Sequence, residues 1–123
     1  MGGNSRGGIL SVAYAGKHPE QILGVINFVG GWIGEGCAYS DQINQTLFKW
    51  GASYGGRTLW LYGKNDMYYS INHSRSNFEA YSRAGGNGTF VEFDTGVLDG
   101  HDLIANPSLW EPTIGEYLSS IRR

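Results

Sequence analysis

Residues 2–8 read Gly-Gly-Asn-Ser-Arg-Gly-Gly and contain the pattern Gly-x-Ser-x-Gly, with Ser5 at its centre. This pattern is typical of a nucleophile elbow, a sharp strand-to-helix turn that holds a serine hydroxyl clear of a sheet. We expect glycines at both ends of the pattern because a side chain there would collide with the neighbouring strand or helix. The motif begins so early that the strand normally preceding the turn is reduced to residues 1–4.

Strand-like and helix-like segments alternate along the rest of the chain. Apolar runs rich in β-branched and aromatic residues predict three strands, at Ile22–Val29, Thr58–Tyr62 and Thr89–Phe93. Periodic apolar segments predict four helices, at about 6–16, 41–52, 70–84 and 111–121. Alternation of this kind indicates an α/β fold with three layers, in which helices flank a short parallel sheet. Functional side chains of such sheets lie in loops after the carboxyl ends of the strands.

Composition favours one globular domain over residues 1–123. Apolar residues make up 41% of the chain, charged residues 16%, and the net charge is −2. Because there is no basic run, no long apolar stretch and no signal-like N-terminus, we expect neither a nucleic-acid nor a membrane partner. The lone cysteine, Cys37, excludes an internal disulfide and is given a packing role. A reducing, cytoplasmic setting is therefore expected.

Two further residues supply what a serine nucleophile needs. A serine hydroxyl requires a base within hydrogen-bond reach, and that base requires an orienting acid. Asp66 lies in a tight loop four residues after the second predicted strand, and His101 lies eight residues after the third. Ser, Asp and His in this chain order are typical of a hydrolase triad on a parallel sheet. The sequence therefore predicts Ser5 as nucleophile, Asp66 as orienting acid and His101 as base.

Other histidines and aspartates are weaker candidates for these roles. His18 lies in a turn before a proline and His73 lies near a helix start, so neither follows a strand end. Asp94 ends the third strand and stays open as an alternative acid. Asp99 and Asp102 are expected to shape the histidine loop.

The groups around the reacting atoms can also be named. The backbone N–H of Arg6, directly after the nucleophile, is expected to form part of the oxyanion hole at a helix N-terminus. A second donor normally comes from a loop earlier in such folds. Loop residues beside this end of the sheet are candidates either for the substrate pocket or for packing under the loops: Trp32, Met67, Tyr68 and Tyr69.

Four segments give the chain a family resemblance. They are Gly3–Gly8, Phe28–Trp32, Leu59–Asp66 and Gly100–Leu103. On these residues the sequence resembles the C-terminal half of a serine α/β-hydrolase of the dienelactone-hydrolase-like group. Dienelactone hydrolases proper have a cysteine nucleophile, and the serine of this chain favours carboxylesterase-type chemistry. The resemblance implies cleavage of short or medium acyl esters through an acyl-serine intermediate, with no metal or organic cofactor.

The resemblance also implies a partial fold, with about three strands and four helices and with the N-terminal strands absent. We expect the strand at Ile22–Val29 to present an unpaired apolar edge, which is a template for pairing with another chain. A homo-oligomer that covers this edge is therefore predicted. Two alternatives to an active esterase stay open: a catalytically inactive truncated fragment, and a binding module that retains half of the hydrolase fold.

Overall fold

The computed structural model describes residues 1–33 and 38–121, so the packing role predicted for Cys37 lies outside the described residues. Within these ranges the strands and α-helices are, in chain order, β1 (Gly2–Asn4), α1 (Arg6–Lys17), β2 (Val25–Phe28), α2 (Ser40–Gly51), β3 (Thr58–Gly63), α3 (Ile71–Arg83), β4 (Gly88–Phe93) and α4 (Pro107–Ile121). Short 3₁₀ turns cover Pro19–Gln21, Ala52–Tyr54 and Gly100–Ala105.

All four strands pair in parallel in the order β1-β2-β3-β4. Helices α1, α2 and α3 cover one face of the sheet, where Phe48 of α2 and Phe78 of α3 pack on Trp60 of β3. Helix α4 covers the other face, where Trp110 packs on Phe28 of β2. The predicted three-layer α/β class is therefore confirmed.

Strand β1 corrects one sequence prediction. The three residues before Ser5 form a strand that pairs with β2, in register Gly2–Ile26, Gly3–Asn27 and Asn4–Phe28. The prediction of an unpaired edge at Ile22–Val29 is therefore wrong, because β2 has neighbours on both sides. Among the described residues, the strand without an outer neighbour on this side is β1 itself.

Aromatic side chains fill the layer between the sheet and helices α2 and α3. Trp60 is fully buried, and its ring centroid lies 4.5 Å from that of Phe48 and 5.1 Å from that of Tyr81. The indole N–H of Trp60 donates to Thr58 Oγ1 (2.9 Å), so its one polar atom is satisfied inside the core. Strand β3 is buried at all six residues, as expected for a central strand covered on both faces.

Helix α4 begins earlier than predicted. It starts at Pro107, which suits the first helical turn because a proline has no N–H to leave unsatisfied there. Pro112, next to the predicted start at about residue 111, lies inside the helix. The buried Tyr117 fixes α4 to the sheet, since its hydroxyl donates to the carbonyl of Arg57 and accepts from the N–H of Val25 (2.9 Å).

Apolar side chains remain exposed on both faces beside β1. Leu10 and Tyr14 of α1 are exposed with Trp50 on one face, and Leu23 and Leu118 are exposed on the other. Met1 lines a cleft on each face. Among the described helices, none has the length and apolar character that crossing a bilayer requires.

Candidate active site

Ser5 occupies the turn between β1 and α1 in a strained backbone conformation. Its φ is 58° and its ψ is −118°, outside the regions that L-residues normally adopt. Its N–H donates to the carbonyl of Phe28 (2.8 Å), and its own carbonyl accepts from the N–H groups of Gly8 (2.9 Å) and Gly31 (3.3 Å). Bonds from the strand, the helix and the next loop therefore hold the turn that the motif predicted.

The two glycines of the motif differ in how much space a side chain would have. A Cβ on Gly3 would lie 2.1 Å from the carbonyl oxygen of Gly7, so this position admits no side chain without a backbone shift. A Cβ on Gly7 would meet nothing within 4 Å. The predicted collision is therefore present at Gly3, and the prediction is wrong for Gly7.

Asp66 and His101 form a hydrogen-bonded pair after the ends of β3 and β4. The Asp66 side chain is 1% exposed, and its Oδ2 lies 3.0 Å from Nδ1 of His101. Its Oδ1 accepts from the N–H groups of Tyr68 (2.7 Å) and Tyr69 (2.8 Å). Because an ionised carboxylate only accepts, we assign the His101 proton to Nδ1, which leaves Nε2 with a free lone pair.

Close backbone contact brings the two loops together. A Cβ on Gly63, the last residue of β3, would lie 2.3 Å from the Cα of Gly100, so only glycine allows this approach. Asp99 adds a second link, since its Oδ1 accepts from the N–H groups of Met67 and His101 (2.9 Å each). These hydrogen bonds, with that of His101 first, lower the pKa of the Asp99 carboxyl. Asp99 thus shapes the histidine loop.

Tyr69 joins Ser5 to the Asp66–His101 pair. Its hydroxyl lies 3.2 Å from Ser5 Oγ and donates to the carbonyl of Gly31 (3.0 Å). Its ring meets the His101 ring edge-on, at 5.2 Å between centroids. Among the described residues, no hydrogen bond joins Ser5 to His101 directly. The structure therefore brings the three predicted residues into one cluster, with Tyr69 as the partner of the serine hydroxyl.

The loop after β2 carries features that sequence reasoning missed. Val29 has a φ of 44°, which is rare for a β-branched residue, and nothing in its sequence context signals it. The buried Tyr62 hydroxyl donates to the carbonyl of Gly30 (2.7 Å) and accepts from the Asn27 amide (3.1 Å). Burial raises the pKa of the Tyr62 phenol, so it stays protonated and keeps donating. The hydroxyls of Tyr62 and Tyr69 thus hold consecutive carbonyls of this loop.

The remaining predicted site residues differ in position. Arg6 is the first residue of α1, and its N–H has no hydrogen-bond partner within the described parts of the chain. Tyr68 is exposed and lies against the His101 ring, at 4.5 Å between centroids. Met67 is 81% exposed. The half-buried Trp32 is fixed through its backbone, because its N–H donates to Asn44 Oδ1 (2.8 Å) and its carbonyl accepts from the Asn44 amide.

The rival candidates have other partners. The His18 ring packs against the Tyr14 ring in a tilted arrangement, at 4.4 Å between centroids, and His73 Nδ1 lies 3.2 Å from Asp41. Asp94 accepts from the N–H of Gly96 (2.8 Å). No group of three or more His, Cys, Asp or Glu side chains within residues 1–33 and 38–121 has an arrangement that could hold a metal ion.

A parallel sheet with a serine at a strand-to-helix turn, and with an Asp–His pair after later strands, has the arrangement of the α/β-hydrolase fold. The structure is similar to that of a solved protein from Klebsiella pneumoniae subsp. pneumoniae MGH 78578, described as a "Putative Dienelactone Hydrolase", with a TM-score of 0.62. The match covers 93% of this chain and 49% of that protein, at 18% sequence identity. The chain thus has a partial α/β-hydrolase fold and spans about half the length of the solved protein. No family model and no curated protein matches the sequence.

Proposed function

We propose that the chain is a serine hydrolase that cleaves short or medium acyl esters through an acyl-serine intermediate. The observation that carries the proposal is the hydrogen-bonded Asp66–His101 pair (3.0 Å), which shares one cluster with a serine in a strained strand-to-helix turn. An Asp–His pair that only stabilised the fold would not require a serine hydroxyl nearby. Strained backbone conformations such as that of Ser5 are concentrated at functional sites.

The acylation step follows from the roles of these groups. Nε2 of His101 takes the proton of Ser5 Oγ as the oxygen attacks the ester carbonyl carbon. The Asp66 carboxylate holds the His101 ring in the required tautomer and stabilises the imidazolium that forms. The tetrahedral intermediate then expels the alcohol, which takes its proton from His101, and the acyl group remains on Ser5.

Deacylation repeats the same steps with water as the nucleophile. His101 takes a proton from the water molecule, and the released Ser5 oxygen takes it back. In both steps negative charge develops on the former carbonyl oxygen. The N–H of Arg6 at the start of α1, which has no partner among the described residues, is the donor that we propose for this charge, and the helix dipole favours it.

The substrate is expected to contact the exposed side of the cluster. Tyr68 lies against His101, and Met67 precedes it in the same loop. We propose that both residues contact the acyl or alcohol group, with Trp32 on the loop after β2 as a further contact. The proposed compartment remains the cytoplasm, on the basis of the cysteine count.

The proposal is tested with p-nitrophenyl acetate and butyrate and with a fluorophosphonate probe on the purified chain. Ser5→Ala is expected to abolish both hydrolysis and labelling, and His101→Gln to lower hydrolysis by at least about 100-fold. The matched control is His73→Gln, because His73 also pairs with an aspartate, 3.2 Å away, yet lies outside the proposed machinery. Equal rates for the Ser5→Ala variant and the unmodified chain would refute the proposal.

One observation favours a second candidate, a binding module that keeps the fold without turnover. The Ser5 hydroxyl bonds to Tyr69, and no hydrogen bond to His101 is present within the described residues. A chain of this second kind would bind an ester or its carboxylate product without releasing alcohol. Calorimetric binding of a substrate, combined with absent fluorophosphonate labelling, would favour this candidate over the hydrolase.

A further inference from the structure

Tyr69 contacts each of the three residues proposed for catalysis. Its hydroxyl bonds to Ser5 Oγ (3.2 Å), its ring packs against the His101 ring in a T-shaped arrangement, and its backbone N–H donates to Asp66 (2.8 Å). The Tyr69 side chain is buried, and its bond to Asp66 is buried with it, whereas its bond to Ser5 is partly buried. Ser5 and Tyr69 are 64 positions apart in the sequence, and the fold alone creates the contact.

Counting protons fixes the direction of the hydrogen bonds. A tyrosine hydroxyl has one proton, and a carbonyl oxygen accepts only. Because Tyr69 donates its proton to the carbonyl of Gly31 (3.0 Å), its bond with Ser5 requires the serine to donate. The single proton of Ser5 therefore points at Tyr69, whereas the proposed reaction needs it at His101.

We propose that Tyr69 is a positioning residue that holds the Ser5 hydroxyl in a resting orientation, which Ser5 must leave before His101 can take its proton. This inference rests on the proposed hydrolase function. The competing hydrogen bond lowers the fraction of molecules in which Ser5 is ready to attack, and Tyr69 thereby slows acylation of the free site. The Tyr69 ring and backbone support His101 and Asp66 at the same time, so only the hydroxyl opposes the reaction.

Tyr69→Phe tests the inference because it removes the hydroxyl and leaves the ring and the backbone N–H. The readout is the rate of labelling by a fluorophosphonate, in which Ser5 Oγ bonds to phosphorus, fluoride leaves and the serine proton passes to His101. One neutral hydrogen bond corresponds to about a 2- to 10-fold increase in that rate. Tyr14→Phe is the matched control, since it removes a tyrosine hydroxyl whose bond to Gln21 is exposed and 3.4 Å long, on helix α1 outside the proposed machinery. We expect its labelling rate to be unchanged.

A double-mutant cycle measures the bond independently of activity. The unfolding equilibrium constants of Ser5→Ala, Tyr69→Phe and the double variant are compared with that of the unmodified chain. We expect a coupling of about 2- to 10-fold in that constant. An absence of coupling would overturn the inference, whether or not the chain is an enzyme.

The outcomes separate this inference from the proposed function. Labelling of the unmodified chain with an equal or slower rate for Tyr69→Phe overturns the resting role and leaves the hydrolase proposal intact. Labelling that appears only in Tyr69→Phe supports both. A lack of labelling in every variant refutes the hydrolase proposal and the resting role together, even where the cycle detects the hydrogen bond.

Discussion

Alanine substitutions at the two glycines of the elbow are expected to have opposite effects on stability. In Gly3→Ala the new Cβ would lie 2.1 Å from the carbonyl oxygen of Gly7, whereas real contacts of a Cβ are almost never shorter than 3.0 Å. The first turn of α1 would have to move by the difference, about 0.9 Å. In Gly7→Ala the new methyl group meets nothing within 4 Å.

The magnitudes follow from these distances. Forcing an extra methyl group into a packed position costs about 1–3 kcal/mol, and the atoms in contact at Gly3 are backbone, which cannot rotate away. Gly7 lies within α1 and does not have a positive φ. Alanine there stabilises the fold by about 0.5–1 kcal/mol, because the unfolded chain loses conformational freedom. The two variants should therefore differ by roughly 1.5–4 kcal/mol.

Urea unfolding followed by circular dichroism measures both effects. For a chain of this size, 1 kcal/mol corresponds to roughly 3–5 °C in Tm, so thermal melting provides a second estimate. Equal destabilisation by Gly3→Ala and Gly7→Ala would refute the reasoning, because the structure then gives the wrong environment for one of the two positions. An unchanged m-value in both variants serves as the control, because it shows that the unfolded states are comparable.

Three further outcomes are expected. Because the pKa of the Asp99 carboxyl is lowered in the folded chain, its ionised form stabilises the fold at pH values above the unfolded pKa, and this stability is lost as the pH falls through the folded pKa. Asp99→Asn should therefore lose less stability on acidification, as measured by pH-dependent melting. Tyr117→Phe should cost about 1–3 kcal/mol in urea unfolding because it leaves the N–H of Val25 unsatisfied, whereas Tyr14→Phe, at an exposed 3.4 Å bond, should be near neutral. We propose that copies of the chain associate through the β1 side. Leu23→Glu, which places a charge at an 89% exposed apolar position, should therefore lower the mass found by light scattering. A monomeric unmodified chain at micromolar concentration would contradict this.

The fold class was predictable because β-branched and aromatic runs mark buried strands. The range Thr58–Tyr62 matches β3 to within one residue, and Thr89–Phe93 matches β4 equally well. β1 was missed because Gly2–Asn4 carries no β-propensity, and its pairing depends on β2 alone. The start of α4 was missed because Pro107 and Pro112 could each lie in the first turn of a helix, and the local sequence does not distinguish between them.

The candidate site was predictable only where topology places residues. Asp66 and His101 follow neighbouring parallel strands, so their loops meet at one end of the sheet. The hydrogen bond from Ser5 to Tyr69 depends on side-chain orientation, which no spacing in the sequence encodes. Val29 is a stronger case, because its φ of 44° contradicts the preference of its residue type.

The strain at Ser5 also shows which elements impose the elbow. Positive φ at a non-glycine residue costs about 1–3 kcal/mol and persists only where the surroundings over-determine it. Here the Ser5 N–H is held by Phe28 of β2, and the Ser5 carbonyl is held by α1 and by Gly31 of the following loop. Each of these partners comes from sequence after the serine. The geometry of the proposed nucleophile is therefore set by β2, α1 and the loop after β2.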